Sequence, residues 1–231
     1  METLTYRQEL KFLCAERELR AIENRIRGLC KKDSHADATG TYAIRSLYFD
    51  TYDDRCYVEN KMGIDRRKKY RVRIYNGGSE VIKLECKYSW RGMKAKEVCI
   101  ITKEQCGCLI QGKRVTEIGE EQELLKRFLL ERQMELLKPK VIVEYVRTPY
   151  IYQGGNVRIT FDRNIRSAAA VSDFLSGKIY ARGILPEGMH VLEVKYDEMI
   201  PTAILECVAG GIDLRRTSFS KYMLCRDYGI G

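Results

Sequence analysis

Hydrophobic and polar residues alternate along many short stretches of this chain, with the two-residue period that is typical of β-strands. The clearest example surrounds Asn76-Gly77-Gly78, where strand-type residues run through 65–75 before the turn and through 79–87 after it. Two such runs around an Asn-Gly turn predict a β-hairpin. One face of each strand carries fixed charges instead of ordinary polar side chains. The residues concerned are Arg71, Arg73, Lys83, Glu85 and Lys87.

The same alternation predicts further strands at 6–13, 42–50, 93–101, 140–152, 156–164 and 190–197. Several of these strands repeat charged residues at a two-residue step, which places the charges on one face. The repeats are Glu9-x-Lys11, Lys94-x-Lys96, Arg158-x-Thr160-x-Asp162 and Glu193-x-Lys195. With the first hairpin, the pattern predicts about eight strands, and the hairpin turns make most of them antiparallel.

Between the strands, apolar residues recur at helical spacing. The helices predicted in this way lie at 16–30, 102–111, 120–137, 201–209 and 217–227, with a short irregular or helical link at 53–62. Thr217 or Ser218 is the expected cap of the last helix, while 167–185 shows no regular pattern. The predicted fold class is therefore α+β, an antiparallel eight-stranded β-barrel with helices packed outside.

The charged faces need an explanation, because an ordinary half-buried strand has one apolar face and one plain polar face. If helices cover the apolar outer faces of a barrel, the charged faces point into its lumen. About ten unpaired buried cations would each cost several kcal/mol. Interspersed glutamates offset part of this charge and suit a divalent cation, and an anion rich in oxygen atoms would offset the rest. The alternative is a set of solvent-facing strands with cross-strand Lys–Glu pairs.

Composition agrees with an anionic partner. The 231 residues include 41 Lys and Arg against 32 Asp and Glu, a net charge of +9. This balance favours nucleic acid, polyphosphate, nucleotide or a membrane surface, although it also fits a basic soluble surface. No Pro/Gly/Ser-rich linker divides the chain, so residues 1–231 are predicted to form a single domain.

The remaining sequence signals concern location and nucleic acid. Nine cysteines without a Cys-x-x-Cys pair and an N-terminus without an apolar signal region predict reduced thiols in a cytoplasmic protein. No apolar run is long enough for a transmembrane segment. The run 66–73 resembles a basic nucleic-acid patch, but it alternates at its end as a strand does. The chain also has no aromatic stacking motif of the RNA-binding type, so no nucleic-acid partner is expected.

Several motifs, taken in order, carry a family resemblance. They are Ser46-Leu47-Tyr48-Phe49-Asp50-Thr51, Lys69-Tyr70-Arg71-Val72-Arg73-Ile74-Tyr75, Leu84-Glu85-Cys86-Lys87, Glu144-Tyr145-Val146-Arg147-Thr148, Leu192-Glu193-Val194-Lys195 and Phe219-Ser220-Lys221-Tyr222. In order and spacing they resemble the VTC domain, the polyphosphate polymerase branch of the triphosphate tunnel metalloenzymes in the CYTH-like superfamily. The resemblance covers nearly the whole chain, although each motif is weak by itself.

The resemblance implies a tunnel of strands in which a metal-dependent polyphosphate polymerase transfers the terminal phosphoryl group of ATP to a growing inorganic polyphosphate chain. The implied cofactor is Mn²⁺ or Mg²⁺. Carried over by motif, the catalytic residues are Arg71, Arg73, Lys87 and Lys221, and the other phosphate-binding residues are Lys11, Lys96, Arg147, Arg158, Lys195 and Ser220. Glu193 is expected to hold the metal, or otherwise to pair only with Lys195. Glu9 and Glu85 are expected to support the cations, with Glu85 orienting Lys87 and Arg73.

One departure from the superfamily pattern and one problem of strand parity qualify this resemblance. The usual first-strand signature of the superfamily is Glu-x-Glu-x-Lys, but this chain has Arg7-x-Glu9-x-Lys11, which favours a cationic, polymer-binding tunnel over a two-metal hydrolase. Glu144 and Arg147 are three residues apart, so they cannot share a regular strand face without a bulge, and only Arg147 is retained as a site residue.

Two other functions stay open at this point. One is a hydrolase of tripolyphosphate or nucleoside triphosphates in the same tunnel, and the other is a non-catalytic sensor of polyphosphate or inositol phosphates. The resemblance also implies a possible separate membrane partner protein, because this chain has no transmembrane segment of its own.

Overall fold

The computed structural model describes residues 4–33, 36–218 and 220–228. Phe219, part of the last motif, lies outside the described residues. A curled antiparallel sheet dominates the fold. Its long strands are β1 (Gln8–Ala15), β3 (Tyr42–Asp50), β4 (Arg67–Tyr75), β5 (Ile82–Trp90), β6 (Met93–Ile101), β7 (Lys138–Tyr152), β8 (Val157–Ala168) and β10 (Met189–Tyr196). Its two-residue strands are β2 (Lys31–Lys32), β9 (Arg182–Gly183) and β11 (Arg215–Arg216).

The strand order is β11-β1-β10-β8-β7-β3-β4-β5-β6, with β2 paired to β7 and β9 to β8. The sheet curls until its two long edges approach each other. Arg7, just before β1, forms an isolated antiparallel bridge with Lys94 of β6, through two backbone hydrogen bonds of 2.9 Å. The predicted fold class is therefore confirmed: the eight long strands enclose an interior, and a bridge rather than a ladder joins the edges.

Six helices accompany the sheet in the described part of the chain: α1 (Glu16–Ile26), α2 (Arg55–Lys61), α3 (Lys103–Gln111), α4 (Glu123–Glu135), α5 (Thr202–Ala209) and α6 (Lys221–Asp227). Short 3-10 turns lie at Gly154–Asn156 and Val171–Leu175. No described helix combines the length and the apolar content that crossing a bilayer would require.

Most helices cover the outer face of the sheet, as predicted. Helices α1 and α5 bury Leu19 and Ile204 against Phe161 and Leu192 of β8 and β10. Helix α4 buries Phe128, whose ring centroid lies 5.0 Å from those of Phe49 and Tyr70. Because each outer residue alternates with an inner one, this packing fixes which side chains face the interior.

Helix α6 is the exception, because it packs against the inner face of the sheet. Its Tyr222 and Cys225 are buried with Ile44 of β3, Val143 of β7 and Val191 of β10. These strand residues lie an even number of positions from the charged residues further along their strands, so both sets point to the same face of the sheet. One part of the interior is therefore an apolar core closed by α6, and the other part is charged.

The predicted strands agree with the structure within a few residues, whereas several helix ends were wrong. Helix α1 ends at Ile26 and α4 spans Glu123–Glu135, so both are shorter than predicted. Lys138 and Pro139 begin β7 instead of ending a helix. The cap of the last helix was also wrong: Ser220 is the N-cap, and its hydroxyl accepts a hydrogen bond from the Met223 N–H at 3.1 Å.

Candidate functional site

A cavity of about 350 Å³ occupies the charged part of the interior. Twelve cations line it within the described residues: Arg7, Lys11, Lys69, Arg71, Arg73, Lys87, Lys94, Lys96, Arg147, Arg158, Lys195 and Lys221. Glu9, Glu193 and Ser220 line it as well. Apart from Glu85, which lies behind Arg71, every site residue predicted from the sequence faces this one cavity. The structure thus brings the set together, while the role of each residue remains a prediction.

Strand register explains how residues so distant in sequence meet. Arg71 pairs with Glu85 across β4 and β5, and Arg147 pairs with Asp162 across β7 and β8. Lys11 pairs with Glu193 across β1 and β10. Directly opposed residues on one face of a sheet lie close enough to interact, so each pairing places a cation beside a carboxylate.

Glu85 is completely buried and gathers three cations. Its Oε2 accepts from Arg71 Nε at 2.6 Å, its Oε1 accepts from Lys96 Nζ at 3.1 Å, and Arg73 lies at 3.8 Å. Burial alone would raise the pKa of Glu85, but the charges of Arg71, Arg73 and Lys96 outweigh it and hold this pKa well below the usual range. Glu85 therefore stays ionised and fixes the guanidinium of Arg71.

The expected partner of Glu85 was partly wrong. Arg73 is near it, but Lys87 is not bonded to Glu85 and instead donates to both carboxylate oxygens of Glu9, at 2.9 and 3.2 Å. Glu9 also pairs with Lys11 at 2.5 Å. The reason is that the sheet closes on itself, so that β1 reaches β5 and β6 where the two edges of the sheet meet. Alternation along one hairpin does not reveal contacts between strands that are distant in the chain.

Asp162 is the third carboxylate centre, and sequence reasoning left it out of the site. It accepts from Arg147 Nε and NH2 at 2.6 and 2.8 Å, and Lys221 Nζ lies at 2.6 Å. Burial would raise the pKa of Asp162, yet the Arg147 and Lys221 charges lower it. Asp162 thus ties α6 to the tunnel wall through two predicted phosphate ligands. The available signal was its place on one strand face with Arg158.

Glu193, the expected metal ligand, has one close charged partner. Its Oε1 pairs with Lys195 Nζ at 2.7 Å, and its Oε2 has no hydrogen-bond partner among the described residues. Those residues contain no group of three or more His, Cys, Asp or Glu able to hold a metal ion. Mg²⁺ and similar ions commonly use one or two carboxylates together with substrate phosphates and water. Glu193 therefore fits a cation that arrives with phosphate, not one held by protein alone.

On β7, Glu144 and Arg147 point to opposite faces of the sheet. Tyr145 and Arg147 line the cavity, whereas Glu144 binds Arg45 Nε at 3.0 Å away from it. The pairing of β7 with β8 does shift register between Glu144 and Val146, but Glu144 stays on the opposite face from Arg147. Glu144 therefore does not line the cavity.

Arg158 is one of the more exposed of the predicted phosphate ligands. Its NH2 donates to Asp33 at 2.7 Å and to the Tyr42 hydroxyl at 3.1 Å. Its side chain is 36% exposed, against 8% for Arg147. Arg158 therefore lies near a mouth of the cavity, while Arg147 lies deep inside.

Sequence reasoning also missed Lys69, Lys94 and the tyrosines that support the cations. Tyr48 accepts from Arg71 NH1 at 2.9 Å, and Lys221 Nζ lies 4.9 Å from the Tyr145 ring centroid. The two lysines were recoverable, because Lys69 shares its face with Arg71 and Lys94 shares its face with Lys96. The tyrosines gave no charge signal.

A second cavity, of about 590 Å³, adjoins the first. The two cavities share six lining residues: Glu9, Lys11, Lys69, Lys87, Lys94 and Ser220. Arg67 of β4, Arg216 of β11 and Ser218 line only the second. The charged interior thus continues between β4 and the segment before α6 to another opening, and the whole is a tunnel rather than a blind pocket.

Solved structures show the same fold. A protein from Pyrococcus horikoshii OT3 is similar over 96% of this chain and 99% of its own, with 15% identity and a TM-score of 0.50. HpAC1 from Hippeastrum, described as an adenylyl cyclase with a dominant triphosphatase activity, is similar over 96% of this chain and 95% of its own, with 12% identity and a TM-score of 0.52. The chain therefore has the same overall fold as these two proteins.

Within that fold the sequence defines the family. The model of the VTC domain matches residues 6–228, and the chain belongs to the VTC domain family. A search of curated proteins gave no significant match.

Proposed function

We propose that this protein is a metal-dependent polyphosphate polymerase that transfers the terminal phosphoryl group of ATP to the end of an inorganic polyphosphate chain. The observation that carries the proposal is the continuous cationic passage through the two adjoining cavities. A polymer with a charge on every unit can occupy such a passage along its length. A hydrolase acting on one triphosphate needs only the first cavity.

The charge balance of the tunnel supports a phosphate ligand. The twelve lining cations face four carboxylates: Glu9, Glu85, Asp162 and Glu193. Glu9, Glu85 and Asp162 each hold two or more cations, and Asp197 and Asp33 pair with Arg7 and Arg158, so the lining cations still outnumber the carboxylates around them. Guanidinium and ammonium groups bind phosphate oxygens strongly when they are fixed in place, and here Glu85 and Asp162 fix them.

The reaction needs little covalent participation by the protein. The bond between the terminal phosphorus of ATP and its bridging oxygen breaks, a bond to the terminal oxygen of the polyphosphate forms, and ADP leaves. Such transfers depend on alignment and on positive charge near the developing negative charge. Arg71 and Arg73, held by Glu85, and Lys221, held by Asp162, would supply that charge.

A divalent metal would be held by Glu193 together with the substrate phosphates. When bound, such an ion neutralises phosphate charge and helps to align the transferring group. Lys195, at 2.7 Å from Glu193 Oε1, would keep that carboxylate oriented.

A tunnel hydrolase is the second candidate. The similarity in fold to HpAC1, whose description names a triphosphatase activity, favours it. The cation Arg7 at the first position of the strand signature, which pairs with Asp197 at 2.7 Å, argues against it, because this position lacks the carboxylate of the usual signature.

The test is an incubation of the purified protein with ATP and either Mn²⁺ or Mg²⁺, with the products resolved on a gel and free phosphate measured. Chains longer than three phosphates, together with stoichiometric ADP, support the polymerase. Free phosphate without chains identifies the hydrolase. Unchanged ATP combined with tight binding of polyphosphate identifies a sensor. Arg17→Ala, an exposed arginine of α1, is the control variant for a general loss of positive charge.

A further inference from the structure

Lys69 differs from the other cations that line the first cavity. Each of the others has a carboxylate or hydroxyl oxygen in contact, such as Glu9 for Lys87 and Ser89 for Lys94. Lys69 has no such contact in the described part of the chain. Its Nζ lies 5.7 Å from the Tyr222 ring centroid, a cation–π distance that leaves the three N–H donors of an ammonium unpaired.

The position of Lys69 is as unusual as its lack of partners. It lines both cavities and stands directly opposite Lys87 in the register of β4 and β5. Any extended anion that continues from the first cavity into the second must pass this pair. An unpaired donor at the passage between two cationic cavities is therefore placed to receive an anion.

We propose that Lys69 is a further phosphate-binding residue at the passage between the two cavities, and that phosphate binding there is coupled to the uptake of a proton. The inference rests on the proposed function in one respect only: the ligand is a linear polyphosphate in the tunnel.

The surroundings of Lys69 explain the coupling. The charged and titratable groups around it are Arg67 and Arg71 on β4, Asp50 on β3, Lys87 on β5, Lys94 on β6, Glu9 and Lys11 on β1, Cys56 on α2 and Tyr222 on α6. The nearby carboxylates are engaged: Glu9 holds two lysines, and Asp50 accepts from the Cys56 and Tyr57 N–H groups and from the Tyr222 hydroxyl. The net field at Lys69 is positive.

Burial and the neighbouring charges of Lys11 and Arg67 lower the pKa of Lys69 to about 7. A phosphate at the passage would favour the ammonium and raise this pKa again. Binding then takes up a proton, and affinity rises as pH falls through the pKa of the free protein. If phosphate moves that pKa above about 9, Lys69 alone should contribute about a tenfold fall in affinity between about pH 6 and about pH 8, in addition to any contribution from Lys87 and Lys96, whose pKa values are also lowered.

The experiment is calorimetric titration of the full chain with tripolyphosphate in the presence of EDTA, which prevents metal-dependent turnover. Titrations near pH 6, 7 and 8, each in two buffers of different ionisation enthalpy, give both the affinity and the number of protons taken up. Ionisation of the ligand itself is common to all variants, so each variant is compared with the wild type.

Two variants and one control are needed. Lys69→Arg keeps a permanent charge, and it should lower proton uptake near pH 7 by about 0.5 per site and hold high affinity near pH 8. Lys69→Met removes the charge and should give weak binding at every pH. Lys83→Met is the control. The Lys83 ammonium is also near a tyrosine ring, at 5.2 Å from the ring centroid of Tyr75, but Lys83 lines neither cavity. This variant should therefore bind tripolyphosphate as the wild type does.

The outcomes separate the inference from the proposed function. Wild-type proton uptake and pH dependence in Lys69→Arg, or wild-type affinity in Lys69→Met, would overturn the role of Lys69 while leaving the tunnel function intact. No binding of tripolyphosphate to the wild-type protein at any pH would overturn the tunnel function itself. Near-ultraviolet circular dichroism of both variants shows whether they fold.

Discussion

The inner face of the curled sheet has two regions that use the same strands in different ways. In the first, Ile44, Val143 and Val191 are fully buried beneath α6. In the second, inner positions of β4, β7 and β10 carry Arg73, Arg147 and Glu193, which line an open cavity. Strand geometry is alike in both regions, since successive inner positions are two residues apart along the same strands.

The difference between the regions shows how the tunnel holds its charges. The apolar region, which includes Tyr222 of α6, is a rigid support from which Ser220 and Lys221 project into the charged region. In the charged region, the buried carboxylates Glu9, Glu85 and Asp162 each pair with two or more cations. Stability should therefore depend on apolar packing in one region and on charge pairing in the other, and activity should depend mainly on the second.

The largest expected effect comes from Asp162→Asn, which removes the carboxylate shared by Arg147 and Lys221. Leaving buried cations without their partner should lower the free energy of unfolding by about 3–5 kcal/mol. Added tripolyphosphate should restore thermal stability in this variant more than it stabilises the wild type, because phosphate replaces the lost negative charge. Thermal melts with and without ligand test this. A variant that ligand stabilises no more than wild type would contradict the charge argument.

The same carboxylate gives a pH dependence with a definite sign. Because the folded protein lowers the pKa of Asp162 and of Glu85, their contribution is complete above the carboxyl pKa of the unfolded chain, near 4. It is lost as pH falls from there towards the lowered values. Urea unfolding across this acid range should show stability declining in the wild type and declining less steeply in Asp162→Asn.

Much of this arrangement was predictable from sequence, and the reasons for the gaps are physical. Alternation of charge along strands identified the walls of the tunnel, since Arg71, Arg73 and Glu193 all face the cavity. It could not identify the pairing of Glu9 with Lys87, because that contact depends on closure between strands that are distant in the chain. The fold predicted from the sequence also placed α6 outside with the other helices. The few apolar residues of α6 do not reveal which face of a sheet they cover.

Ile44→Ala tests the apolar region alone. It removes a fully buried side chain beneath α6 and should cost about 2–5 kcal/mol of unfolding free energy through lost burial and a residual cavity. At a temperature well below the melting temperature, turnover should change much less than the free energy of unfolding. Ile100→Ala, at an exposed isoleucine, is the matched control for chemical denaturation and should have little effect. Equal loss of stability in the two variants would contradict the assignment of the core.

Arg71→Ala tests the charged region alone. Arg71 is held by Glu85 and by the Tyr48 hydroxyl, and Glu85 keeps Lys96 as a partner when the arginine is removed. Turnover should fall about a hundredfold, as when one preorganised charge near the transferring group is lost, equivalent to about 2.7 kcal/mol. Circular dichroism should show a folded protein. Normal turnover in a folded Arg71→Ala protein would exclude the proposed role.

Tyr222→Phe is the smallest change and lies at the border between the two regions. The Tyr222 hydroxyl donates to Asp50, while its ring packs 5.2 Å from the Tyr48 ring and beneath Lys69. Asp50 keeps the N–H groups of Thr51, Cys56 and Tyr57 as donors, so the free energy of unfolding should fall by only about 1 kcal/mol.

Because the Tyr222 ring is retained, affinity for tripolyphosphate should stay within about twofold of the wild-type value. Urea unfolding and calorimetry measure the two quantities, with exposed Tyr180→Phe as control. A large loss of affinity with unchanged stability would mean that the hydroxyl, rather than the ring, serves the tunnel.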